Sequence, residues 1–74
     1  MSDVQNSGGV AFVPSPIMKY FAFAHLPEAL QLVSEPVYML AKTMDESLPD
    51  CDEKSAGLRK LLEAKDCFVR AKLG

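Results

Sequence analysis

Two runs in this sequence combine residue types that could do chemistry together. The first, Lys19-Tyr20-Phe21-Ala22-Phe23-Ala24-His25, sets three aromatic residues within four positions, with a lysine before them and a histidine after. Rings beside cations suit a nucleotide ligand, because a base stacks on the ring for about 1–3 kcal/mol while the cation meets a phosphate. The same run also reads as core, with Phe21 and Phe23 inward and Tyr20 at the edge. The second run places Arg59, Glu63, Asp66 and Arg70 at alternating four- and three-residue steps, so opposite charges lie side by side on one helical face. In one reading these are surface ion pairs, Arg59–Glu63 and Asp66–Arg70, each worth about 0.3–0.5 kcal/mol. In the other, the carboxylates fix arginine forks that present a bidentate phosphate site. Lys60, Lys65 and Lys72 add positive charge to the same helix.

Covalent and metal chemistry have little support. The single histidine, His25, has no serine or cysteine at a spacing that makes a catalytic dyad; it is expected to cap a helix start or donate a hydrogen bond to a ligand. Glycine-rich phosphate loops and His-Glu-x-x-His metal motifs are absent. Cys51 and Cys67 lack zinc-ligand spacing, and they read as reduced, partly buried thiols in a cytosolic protein. Asp45, Glu46, Asp50, Asp52 and Glu53 form an acidic cluster whose spacing does not match a calcium loop, so it reads as a solvated turn. A net charge of −2 gives no general affinity for DNA. No segment is apolar for long enough to span a membrane, and the N-terminus shows no secretory signal pattern.

The elements that must carry these residues are helices. Leu58 to Leu73 is rich in strong helix formers, and Leu58, Leu61, Leu62, Phe68, Val69 and Leu73 recur at near-helical spacing. An earlier helix is expected from Leu26-Pro27-Glu28, with proline in its first turn. Its apolar positions Leu26, Leu30, Val33, Val37, Leu40 and Met44 step by four and three. Pro36 interrupts that seam, so a bend is expected there; Ser34 is placed to cap a restarted helix, although the seam stays in phase. Asp50 and Glu53 predict a capping box after the turn Ser47-Leu48-Pro49-Asp50. Residues 1–18, with Gly8-Gly9, Pro14 and Pro16, read as a flexible arm, and residues 19–74 as the folded hairpin. A chain of 74 residues buries only about 60% of its unfolded surface, yet 49% of this one is hydrophobic. Leu32, Met39, Phe68 and Val69 cannot all face one seam. The fold class expected is therefore all-α, a helical hairpin whose first helix bends at Pro36, assembling into a compact homo-oligomeric bundle.

Three motifs give a resemblance. Phe-x-Phe-x-His-Leu-Pro runs from Phe21 to Pro27, Leu-Gln-x-Val-Ser-x-Pro from Leu30 to Pro36, and Leu-Arg-Lys-Leu-Leu-Glu-Ala-Lys-Asp from Leu58 to Asp66, followed by Val69-Arg70-Ala71. The combination resembles small phage proteins that counter the bacterial CBASS defence by sequestering cyclic nucleotide signals, whose hairpin domain is shared with a phage sponge against Thoeris. It covers Lys19 to Leu73, about three quarters of the chain. It implies a non-enzymatic, cofactor-free and metal-free sponge in the cytoplasm of the infected bacterial host. Such sponges assemble as homo-hexamers and bind cyclic dinucleotides such as cGAMP between protomers, some also taking cyclic trinucleotides in separate pockets. On the matching positions the resemblance implies Tyr20 as the stacking ring, Phe23 and His25 close by, and Arg59, Lys60 and Arg70 as phosphate partners. Glu35 stands where relatives often carry lysine, so that lysine's role passes to Lys19 or Lys60, or the ligand range narrows. A helical-hairpin adaptor that binds a protein through its charged face is the alternative from another class.

Overall fold

The computed structural model describes residues 12–74, and every regular element among them is helical. A 3-10 helix spans Pro16–Phe21, α1 spans Glu28–Ser47 and α2 spans Asp52–Leu73. The turn between α1 and α2 is short, so the two pack as a hairpin, and the 3-10 helix lies against both. Proline at the first position starts the 3-10 helix without sacrificing a backbone bond. This element crosses the boundary expected at residue 18; residues 1–11 of the expected arm lie outside the described residues.

Pro27 precedes α1 in an extended conformation, and its carbonyl accepts from the Leu30 and Gln31 N–H groups at 2.9 and 3.1 Å. The Gln31 amide reaches back to the Leu26 carbonyl at 2.8 Å and the Ala24 carbonyl at 3.3 Å, folding the connecting loop onto the helix. Through Pro36, α1 runs as one element, so no restart occurs and Ser34 caps nothing. Pro36 supplies no N–H to the Leu32 carbonyl. Both residues lie on the exposed side of α1, where water can serve that carbonyl.

The packed face of α1 is rotated from the expected seam. Ser34, Val37, Ala41 and Asp45 are buried, whereas Leu40 is 49% exposed and Leu26, Leu30, Val33 and Met44 are only half-buried. Phe21 is fully buried in one cluster with the small side chain of Ala41. Phe21, Val37, Ala41 and Leu58 form the core, with Ile17, Met18, Tyr38, Met44, Leu61 and Leu62 around it. A tally of large apolar residues misses this phase, because here one aromatic from a third element supplies the bulk.

The capping box is not formed either. Cys51 takes the position before α2 with no side-chain cap, and Asp50 instead accepts from Lys54 Nζ at 2.6 Å. Leu32, Met39, Leu40, Leu48 and Phe68 remain exposed. Leu40, Met44 and Leu48 meet Gly57, Leu58 and Leu61 around a groove of about 270 Å³, and among the described residues none before α1 lines it.

Two core substitutions should act with opposite sign. Phe21→Ala should lower stability by about 3–5 kcal/mol, since it empties the plug of the core. The Ser34 hydroxyl is fully buried and has no hydrogen-bond partner among the described residues. Ser34→Ala should therefore raise stability by about 1 kcal/mol; chemical denaturation followed by circular dichroism reads both.

Candidate ligand-binding surface

Successive residues of a 3-10 helix point about 120° apart, so burying Phe21 turns Tyr20 outward. Tyr20 is 57% exposed, and Lys19 Nζ sits 5.1 Å from its ring centroid. From α2, Lys65 Nζ donates to the Tyr20 carbonyl at 2.8 Å and so ties this turn to the second helix. Phe23 is half-buried, its ring tilted at 55° against Tyr38 with centroids 5.3 Å apart. His25 is exposed in the turn that precedes α1. The aromatic run is thus divided: Phe21 builds the core, Phe23 its edge, and Tyr20 faces solvent beside a cation.

Arg59, Lys60 and Arg70 are all exposed on α2. Arg59 and Arg70 are three helical turns apart, which places them on one face about 16 Å from each other. Arg59 borders a groove of about 400 Å³ between α2 and residues 13–17, with Ser55, Leu58 and Asp50 completing its walls. Arg70 borders a shallower one of about 190 Å³ with Leu26, Lys65, Asp66 and Val69. Lys60 projects from another side of α2, about 100° from Arg59. One protomer therefore brings Tyr20, Lys19 and Lys65 together, and holds Arg59, Lys60 and Arg70 as separate cations. Lys65 was hidden in the sequence among lysines that read as solubilising; its signal is that it shares the inner face of α2 with Leu58, Leu61 and Leu62.

The surface ion pairs expected along α2 are not formed. Among the described residues the ion pairs are Lys42–Glu46, Lys54–Asp45 and Lys54–Asp50. Arg70 Nη2 donates to Cys67 Sγ at 3.3 Å instead of to Asp66. Cys51 and Cys67, expected to be partly buried, are both exposed.

The polar centre of the molecule lies at the hairpin turn, where the sequence suggests only a solvated acidic loop. Asp45 and Lys54 are buried and 3.0 Å apart. Lys54 Nζ also donates to the Asp45 carbonyl at 3.0 Å, the Leu48 carbonyl at 3.3 Å and Asp50. The Asp45 carboxylate accepts from the Ser15 backbone N–H at 2.9 Å and from the Ser15 hydroxyl. Burial alone would push the Asp45 carboxyl up, but both Ser15 bonds and the Lys54 ammonium together hold it below its ordinary value. Lys54 is held above its ordinary value, mainly by Asp50 and then Asp45, against the opposing effect of burial. Among the described residues, no group of histidine, cysteine and carboxylate side chains gathers to hold a metal ion. Nor is any helix among them long and apolar enough to cross a membrane.

No protein-family model, curated protein or solved structure matches the chain.

The two shifts set a pH window. A depressed Asp45 stabilises the fold above its unfolded value, about 3.9, and that contribution is lost as pH falls through its folded value. A raised Lys54 stabilises below about 10.4 and loses its contribution as pH rises through its folded value. The gap in melting temperature between the wild type and Asp45→Asn should be constant from about pH 5 to 9 and narrow progressively below about pH 4. A gap that persists undiminished at pH 2 would contradict this account.

Proposed function

We propose that this chain is a non-enzymatic sponge that binds and sequesters cyclic dinucleotides such as cGAMP, with cyclic trinucleotides as a second ligand class. The observation that carries the reading is Tyr20, an exposed ring with the Lys19 ammonium beside it and Lys65 tied to its backbone. A ring and cations at that distance suit the base and phosphate of one nucleotide. In this reading Tyr20 stacks, Phe23 and His25 line the same site, and Arg59, Lys60 and Arg70 meet phosphates. Glu35 is exposed on α1, and in this reading the role of the lysine expected in its place passes to Lys19 or Lys60, or the ligand range narrows.

Self-assembly belongs to the proposal. The bare groove beside Leu40, Leu48 and Leu61, with the exposed Leu32, Met39 and Phe68, is apolar surface that a second copy would cover. A cyclic dinucleotide has two similar halves, so a two-fold contact can offer each half the same residues. Such a contact would also bring cations of different protomers within reach of one ligand. The resemblance to the phage anti-CBASS sponges supports a homo-hexamer and action in the cytoplasm of an infected bacterium, while a bend at Pro36 rests on the backbone bond that proline removes. DNA and membranes are not partners in this reading.

Calorimetry with cGAMP, light scattering of the purified protein, and recovery of the nucleotide after heat denaturation test it together. Tight binding, an oligomer and intact recovered ligand are expected; a monomer that ignores cGAMP and the cyclic trinucleotides would falsify it. At a ligand concentration one hundred times Kd, stability should rise by about 2.7 kcal/mol. Tyr20→Ala should weaken binding about tenfold, the equivalent of one stacked base, and leave the oligomer unchanged.

A further inference from the structure

Residues 12–17 cross the hairpin as a strap and form a wall of each of two grooves. Val13, Pro14, Ser15, Pro16 and Ile17 face Arg59, Ser55 and Leu58 on one side. Phe12 and Pro14 face Tyr38, Lys42 and Glu46 on the other, with Met18 and Lys19 alongside. Upstream of the buried Phe21, Ile17 and Met18 pack on the core margin, while Phe12 and Val13 are 50% and 79% exposed. The strap's polar hold is concentrated at Ser15, whose N–H and hydroxyl both donate to Asp45. Two donors from one residue to one buried carboxylate fix orientation as well as position. Their acceptor is itself fixed, because Lys54 holds the same carboxylate from α2.

We infer that Ser15 and Asp45 form a latch that shapes the Arg59 groove, making them positioning residues for a phosphate-bearing ligand there. Neither needs to touch that ligand. Opening the latch frees the wall formed by residues 13–17 and leaves Arg59 on an open helix face, although Phe21 still plugs the core. The charged group paired with Asp45 is Lys54 from α2, which also holds Asp50 of the turn, and Lys19, Lys42 and Glu46 share the narrower groove with Asp45. The ligand part of this inference rests on the sponge reading; the latch does not.

Ser15→Ala is the decisive variant, because it removes one donor to Asp45 and changes no side chain of α1 or α2. Amide hydrogen exchange by NMR reads the latch directly at the Ser15 N–H, which lies outside α1 and α2. In the wild type that amide should be protected. In Ser15→Ala it should exchange at least tenfold faster while the α1 and α2 amides keep their rates, and Ser15→Thr should restore protection. An unprotected Ser15 amide in the wild type overturns the latch. Loss of α1 and α2 protection in step with it overturns the latch as a separate device. In calorimetry with cGAMP, Ser15→Ala should weaken binding at least fivefold and Ser15→Thr should recover it. Unchanged affinity with a freed strap overturns the positioning role alone, and a wild type that binds no cyclic nucleotide overturns the sponge reading and the ligand part.

Discussion

The ammonium of Lys54 is the point on which this small structure depends. A buried charge without partners is strongly unfavourable, and Lys54 finds partners in every segment that meets at the turn. Its bonds to the Asp45 and Leu48 carbonyls satisfy backbone groups that the end of α1 leaves open. Its bond to Asp50 closes the connection into α2, and its pair with Asp45 extends the network to Ser15. A single cation thus sets the hairpin turn and, through one carboxylate, the course of the N-terminal strap.

From that arrangement follows the way the aromatic run is shared between stability and recognition. With the strap fixed at Ser15, the 3-10 helix begins at Pro16 and delivers Phe21 between α1 and α2. The turn geometry then leaves Tyr20 no choice but the surface, where Lys19 lies beside its ring. Lys65 secures the same turn from the far side. Core packing and the proposed nucleotide platform are therefore two sides of one short element.

Legibility from sequence varied with the kind of interaction. The hairpin was readable, because Leu58 to Leu73 is dense in helix formers and α2 carries acidic residues in its first turn and basic ones in its last. Surplus apolar surface was also readable: Leu32, Met39 and Phe68 do stay exposed. Helix phase was not, because the small residues Ser34 and Ala41 are buried on α1 while the bulk comes from Phe21, outside both helices. The 3-10 helix was not legible because Pro14 and Pro16 argue for extended backbone, whereas the burial of Phe21 and the bond from Ser15 to Asp45 are tertiary. At the candidate site, the pairing of a ring with a cation was visible in Lys19-Tyr20. The role of Lys65 was not, since its partner is a backbone carbonyl 45 residues away. The ion pairs that spacing predicts along α2 failed for the usual reason that exposed pairs gain little.

Gly57 lies in the bare groove, and a Cβ built there would meet nothing within 4 Å. Inside one copy of the chain, alanine would fit and would favour the helix by about 1 kcal/mol. The internal packing of the protomer thus gives no reason for a bare backbone at this point. What the missing methyl leaves is bare α2 backbone bordered by Leu40, Leu48, Leu58 and Leu61, against which the proposed second copy would lie.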